Sequence, residues 1–159
     1  MIRRLHPQET EPLRELRLRA LRHDPGAFAE TFEAAQRRPP VDWAAWAADE
    51  ALAVFVAIDG DRWVGMATGR LRDDLPDGAW LSALWVDPAA RRAGLGAELI
   101  DAVAGWARGL GRVQLHLSVT TNNEAAAALY GRTGFAPTGR VRPLPSDPSR
   151  TEVFLSRRL

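Results

Sequence analysis

The sequence predicts an α/β (α+β) fold: a mixed sheet of about seven strands with helices on its faces. Three features predict it. Apolar residues recur every three or four positions in some segments and alternate or run unbroken in others, so the chain switches between helical and strand periods. Asp59-Gly60-Asp61-Arg62 separates two apolar runs as a hairpin turn would. Leu84 to Ala97 reads as strand, Pro-containing turn, Gly-rich loop and helix start.

The elements follow in order. Ile2 to Leu5 is a short first strand. Thr10 or Glu11 opens a helix with the apolar face Leu13, Leu16, Leu18, Ala20 and Leu21, and Asp24-Pro25-Gly26 stops it. Phe28 to Gln36 reads as a second short helix ended by Pro39-Pro40. Asp42 reads as the cap of a third, carrying Trp43 and Trp46. Leu52 to Ile58 and Trp63 to Leu71 are paired strands, and Ala79 to Val86 is the next one after a polar loop, Arg72 to Gly78. Leu95, Leu99, Val103, Trp106 and Leu110 mark an amphipathic helix ended near Gly109 or Gly111. Leu115, Leu117 and Val119 alternate with His116 and Ser118 on a strand. Asn123 to Thr133 is a helix stopped by Gly134. Phe135 to Arg142 and Glu152 to Leu159 form a closing antiparallel pair around the loop Pro143 to Arg150.

Length and composition narrow the function. At 159 residues the chain is expected to form a single domain over 1–159, long enough for a core. A net charge of +1 argues against nucleic acid as a partner. With no Cys, thiolate nucleophiles and Cys-based metal sites are excluded, and the spacing of His6, His23 and His116 fits no metal motif. The N-terminus shows no signal-peptide apolar region. The longest apolar run, Ala51 to Ile58, is far short of a membrane span. The expected location is the cytoplasm.

Two stretches carry chemistry. Arg91-x-x-Gly94-x-Gly96 stands where a strand gives way to a helix. Backbone N–H groups at a helix start lack intrahelical partners and sit at the positive end of the dipole. Glycines there let a phosphate come close. The loop reads as a pyrophosphate cradle. It is not a dinucleotide fingerprint, which needs a third glycine and an acidic strand end, and without any Lys it is not a Walker loop. In the second stretch Asn123 can cap a helix and Tyr130 follows two turns along the same face. Residues alone leave Tyr130 open between chemistry and packing against Leu129 and Phe135.

Taken together, Leu84 to Phe135 resembles the GNAT superfamily of acyl-CoA-dependent N-acyltransferases, and the resemblance extends over nearly the whole chain. Ala20 to Phe28 and Pro143 to Pro148 look like a bacterial branch of it. The resemblance implies a mostly antiparallel sheet splayed between its fourth and fifth strands, with acetyl-CoA as cosubstrate in the gap. It implies that the backbone of Leu84, Trp85 and Val86 pairs with the pantetheine arm. Amides across Arg91, Arg92, Ala93, Gly94, Leu95, Gly96 and Ala97 would hold the pyrophosphate. Asn123 and Ala126 would meet the cofactor arm. Tyr130, with an ordinary pKa of about 10, would hold its proton at neutral pH and donate it to the leaving thiolate.

Many family members place a Glu on the fourth or fifth strand as general base. Here Ser82, Ala83, His116 and Ser118 stand in those neighbourhoods. His116 titrates near neutrality, Ser118 can position a water, and Glu30 and Glu33 lie near the expected acceptor cleft. That cleft is expected from the N-terminal helices, the loop Arg72 to Gly78 and the loop Pro143 to Arg150. Asp73, Asp74, Asp77, Glu30, Glu33 and Asp147 would line it, and Trp43 and Trp46 would wall it. The expected partner is a small-molecule amine, with a protein N-terminus or Lys as the alternative acceptor and a non-catalytic acyl-CoA sensor as the alternative role. Monomer and homodimer both stay open.

Overall fold

The computed structural model describes residues 1–159. Strands β1 (Ile2–Arg4), β2 (Leu52–Asp59), β3 (Arg62–Arg70), β4 (Gly78–Val86), β5 (Gln114–Thr120), β6 (Ala136–Leu144) and β7 (Asp147–Arg158) form one seven-stranded sheet ordered β1-β2-β3-β4-β5-β7-β6. Helices α1 (Thr10–His23), α2 (Phe32–Arg37) and α3 (Pro40–Ala48) cover one face. The other carries α4 (Leu95–Gly109) and α5 (Glu124–Arg132). All neighbours are antiparallel except β4 and β5. A parallel pair needs a crossover, and α4 supplies it.

Each face has its own core. Leu99, Ile100, Val103, Ala104 and Ala107 of α4 pack with Leu81, Leu115, Leu117 and Tyr130. Leu13, Leu16, Ala20 and Leu21 of α1 pack with Trp43, Val56, Met66 and Trp85. Each large apolar side chain so buried is worth about 1.5–3 kcal/mol.

The sheet opens between β4 and β5. Their pairing covers only Gly78–Trp80 against Gln114–His116, after which β5 continues along β7 as far as Thr120 opposite Glu152. Leu81 to Val86 has no strand on that side. A bulge shapes the free edge: Ala83 has φ 53°, and the β3 register skips from Trp85–Met66 to Ser82–Thr68. The extra residue reverses the facing of β4. Leu81 therefore joins the α4 core while Trp85 joins the α1 core.

Three expected boundaries are corrected. The second helix does not start at Phe28. A short 3₁₀ turn covers Pro25–Ala27, Phe28 is extended, and Thr31 caps α2 by accepting from the Ala34 N–H at 3.1 Å. Glu30 is thus off the helix. Asp42 does not cap α3; Pro40 opens that helix at its first position, and Asp42 lies in the first turn, where a carboxylate suits the dipole. The loop Pro143 to Arg150 is mostly strand. Leu144 already pairs with Asp147, so β6 and β7 meet at a tight turn. Pro143 is tolerated because β6 is an exposed edge, and Pro145 lies in the turn itself.

Candidate active site

A cleft of about 1390 Å³ runs through the gap between β4 and β5, from the α4 N-terminus to the layer of α1 and α3. At one end the chain turns from β4 through Asp87, whose side chain caps the turn by accepting from the Ala89 N–H at 3.0 Å. The next residues rise into α4 with Arg92 at φ 70° and Gly94 at φ 83°. A left-handed non-glycine residue costs about 1–3 kcal/mol. Arg92 and Ala83, the two such residues in the chain, both lie on this cleft.

The conformation leaves six successive amides, Arg92 to Ala97, without an acceptor; the first helical bond here runs from the Glu98 N–H to the Gly94 carbonyl at 3.1 Å. Unpaired N–H groups at a helix start are a ready anion site. Gly96 has a packing role as well, since a Cβ there would come within 2.9 Å of Leu129 Cδ2. The free amides fit the pyrophosphate of acetyl-CoA. The side chain of Arg91 is engaged elsewhere. Its Nη2 meets Asp24 at 2.5 Å and its Nε donates to the Val86 carbonyl at 2.9 Å. Asp24 also accepts from Trp85 Nε1 at 2.7 Å, so the end of α1 is tied to the loop. Trp85 is buried in the α1 core, and only its backbone is left for the gap.

Asn123 and Tyr130 reach the same cleft from α5. The Asn123 side-chain oxygen caps α5 by accepting from the Ala126 N–H at 3.2 Å, which leaves its NH₂ group free. Tyr130 packs edge-on to Phe135 with ring centroids 5.7 Å apart. Burial pushes its hydroxyl up to about 12, so it keeps its proton across the neutral range. It is buried in the α4 core and borders the cleft as well, so packing and access coexist.

On the opposite face Ser82, Ser118, Trp80 and Trp46 border the cleft. His116 does not. It stands in the zipped part of β4 and β5, against Gly78, where a Cβ would lie 2.8 Å from its Cδ2. Burial, then the nearby Arg72 charge, lowers its pKa. Sharing a face with Ser118 is therefore not enough to bring it into the site. Glu30 borders the cleft but is spent on ion pairs: Oε2 accepts from Arg17 Nε at 3.2 Å and Nη2 at 3.1 Å, and Oε1 accepts from Arg38. Both oxygens are held by guanidinium groups, which favours the charged carboxylate and gives Glu30 a structural role.

The acidic lining also differs from expectation. Of Asp73, Asp74, Asp77, Glu30, Glu33 and Asp147, only Glu30 borders the cleft; Asp74 is paired with Arg72 instead. Asp42, Asp49 and Glu152 take those places. Trp46 walls the cleft, whereas Trp43 is core. Glu152 was the residue hardest to see. The expected loop ended just before it, which made it look like a strand terminus. Alternation with Val153 and Leu155 on the core face was the available signal.

The model of the Acetyltransferase (GNAT) family matches residues 11–135. Over 85 residues the chain is 38% identical to mycothiol acetyltransferase of Geodermatophilus obscurus, covering 51% of this chain and 28% of that one. Over 64 residues it is 34% identical to aminoglycoside N(6')-acetyltransferase type 1 of Klebsiella aerogenes, covering 40% and 42%. The match thus spans less than half the length of either relative. A Salmonella typhimurium structure determined with its cofactor acetyl-CoA superposes with a TM-score of 0.80 at 20% identity, over 100% of this chain and 93% of that one. Family match, split sheet and free amides agree: the chain belongs to the GNAT acetyltransferase family, whose acyl donor is acetyl-CoA.

Proposed function

We propose that the chain, acting as one catalytic domain over 1–159, moves the acetyl group of acetyl-CoA onto the primary amine of a small molecule by direct attack. The observation that carries this is the cleft itself. It passes through the sheet, with the free amides of Arg92 to Ala97 at one end and Tyr130 among the residues that border it. Bound acetyl-CoA supplies an activated thioester carbonyl. The chain's part is to hold and to move protons. Leu84, Trp85 and Val86 offer an unpaired strand edge to an extended amide-bearing arm. Asn123 offers its free NH₂, and Ala126 a methyl surface beside it.

Tyr130, protonated because it is buried, donates to the departing thiolate. The acceptor enters from the other face, past Trp46, Trp80, Ser82 and Ser118. The two serines can hold the amine or a water. The names of the two partial relatives, one an aminoglycoside and one a mycothiol acetyltransferase, support a small-molecule acceptor. A cytoplasmic setting belongs to the same reading, and light scattering would decide between monomer and homodimer. The test is CoA release from acetyl-CoA, followed with a thiol reagent against a panel of amines. Amine-dependent release supports the reading. Binding of acetyl-CoA without release by any amine favours a sensor.

A further inference from the structure

Neither β4 nor β5 carries a carboxylate, yet one reaches the acceptor side of the cleft from β7. Glu152 stands opposite Thr120 of β5, two pairs beyond Ser118 and Phe154 and on the same face as them. Its side chain is only 7% exposed. Oε1 accepts from Arg142 Nε at 2.7 Å. The second oxygen has no hydrogen-bond partner, yet it is not sealed from solvent as the buried orphan atoms are. With no donor from the protein, this oxygen of a largely buried side chain is open to a donor that enters the cleft, water or a ligand. The other acids here lack this combination: Glu30 is paired through both oxygens with two arginines, Asp24 is more exposed and tied to Arg91 and Trp85, and Asp42 and Asp49 are exposed at the first turn and the C-terminal cap of α3.

We propose that the free oxygen of Glu152 receives the acceptor's ammonium group and takes its first proton, which assigns the site to primary alkylamines that arrive charged. This rests on the acetyltransferase reading above. The residues lie in a consistent order. Glu152, Ser118 and Ser82 face the acceptor side, while Tyr130 comes from the α4 and α5 side, so proton acceptor and proton donor stand on opposite faces of the split sheet. The protons balance. An R–NH₃⁺ group gives one proton to Glu152, which releases it to solvent. The freed nitrogen lone pair forms the new C–N bond, and the C–S bond breaks. The thiolate takes the Tyr130 proton. The second nitrogen proton, lost as the amide forms, restores Tyr130 through solvent.

Glu152→Gln keeps the shape, and Arg142, whose side chain is 46% exposed, is rehydrated when its partner is neutralised. The probe is the best acceptor among tyramine, spermidine, kanamycin and methionine amide, assayed from pH 6.5 to 9.5. In Glu152→Gln, kcat/KM at pH 7 should fall about 10²–10⁴-fold. It should then rise about tenfold per pH unit as the free amine accumulates, so that the gap to wild type closes at high pH. Glu152→Asp should keep the wild-type pH profile with a smaller loss. Acetyl-CoA affinity should be unchanged in both. An unchanged profile in Glu152→Gln, or a loss that stays constant across pH, overturns the proposal. Should Glu152→Gln not fold, a Glu152→Asp profile that follows amine ionisation instead of the wild-type shape overturns it too. If no amine is acetylated by the wild type, the acetyltransferase reading fails separately. Calorimetry of tyramine binding to the CoA-saturated protein at pH 7 then decides: binding at least tenfold weaker in Glu152→Gln upholds the ammonium site, and equal or absent binding overturns it.

Discussion

Six consecutive amides, Arg92 to Ala97, build one end of the cleft, whereas the other end takes Arg17, Glu30, Trp46, Ser82, Ser118 and Glu152 from six separate segments. The donor end relies on backbone conformation: a bulge at Ala83, a left-handed Arg92, a left-handed Gly94. In the reading proposed above, such a site recognises the phosphates and the amide-bearing arm of the acyl donor. The acceptor end relies on side chains and their ion pairs, and can be altered one residue at a time without moving the helix start. A fixed donor and a variable acceptor are the expected outcome when one end is made of main chain and the other is not.

Tyr130 borders the same cleft, and its removal is expected to have the largest effect. Tyr130→Phe deletes one hydroxyl and leaves the ring against Phe135. Turnover with the best amine should drop about 10²- to 10⁴-fold while acetyl-CoA affinity holds, because the donor end is backbone. A change within a few-fold would make Tyr130 a packing residue. Loss of folding with full activity in the folded fraction would say the same.

The next effect tests the acceptor end as a structure. Glu30→Gln removes the charge shared by Arg17 and Arg38, and Arg17 is nearly buried, stacked 4.3 Å over the Phe28 ring. An unpaired buried guanidinium should lower stability by about 3 kcal/mol, the low end for breaking a buried pair, since Arg38 stays partly wet. Denaturant unfolding measures it. The pH profile of the surviving activity should keep its shape. If the acidic limb vanishes instead, Glu30 is the base and the ion-pair assignment is wrong.

Gly96→Glu tests the donor end. At about 100 times its dissociation constant, acetyl-CoA should stabilise the wild type by roughly 2.7 kcal/mol. The variant should show no such shift, because a carboxylate would occupy the phosphate approach. Leu129 Cδ2, the atom a new Cβ would meet, is the end of a flexible side chain, so the fold should hold. An intact thermal shift in the folded variant would remove the cradle from this loop.

The same contrast explains what could be read from the sequence. The donor end was legible because it is continuous: a strand, two glycines, a helix start and a capped helix bearing Tyr130 follow within Leu84 to Phe135. Local chemistry fixes each part. The acceptor end depends on long-range pairing that no spacing reveals. Glu30 read as helical because Phe28 to Gln36 has helical composition, but the Thr31 cap and two arginines hold it off the helix. Glu152 read as the first residue of its strand, because Pro143 to Arg150 has loop composition and only pairing with β6 makes most of it strand. His116 read as a site residue by facing alone. How far the β4–β5 pairing runs before the split is a property of the whole sheet, and that length decides which residues on the shared face see the cleft.

The smallest expected effect tests that last distinction. His116 and Ser118 share one face of β5, but His116 lies where β4 and β5 are still paired and Ser118 where they have parted. His116→Gln should leave turnover within a few-fold and leave the acidic limb of the rate profile in place, because the imidazole does not border the cleft. Its signature should appear in stability. Burial and the Arg72 charge hold its folded pKa below the ordinary 6.5. The fold therefore favours the neutral ring, and the unfolded chain binds the proton first as pH falls. The sign follows: this contribution is complete above about pH 6.5 and is lost as pH drops toward the lower folded value. Chemical denaturation at pH 7.5 and pH 5.5 should thus show a smaller acid-induced loss in His116→Gln than in wild type. If the variant instead loses the acidic limb of the rate profile, the split between β4 and β5 begins one residue pair earlier in solution, and His116 belongs to the acceptor end after all.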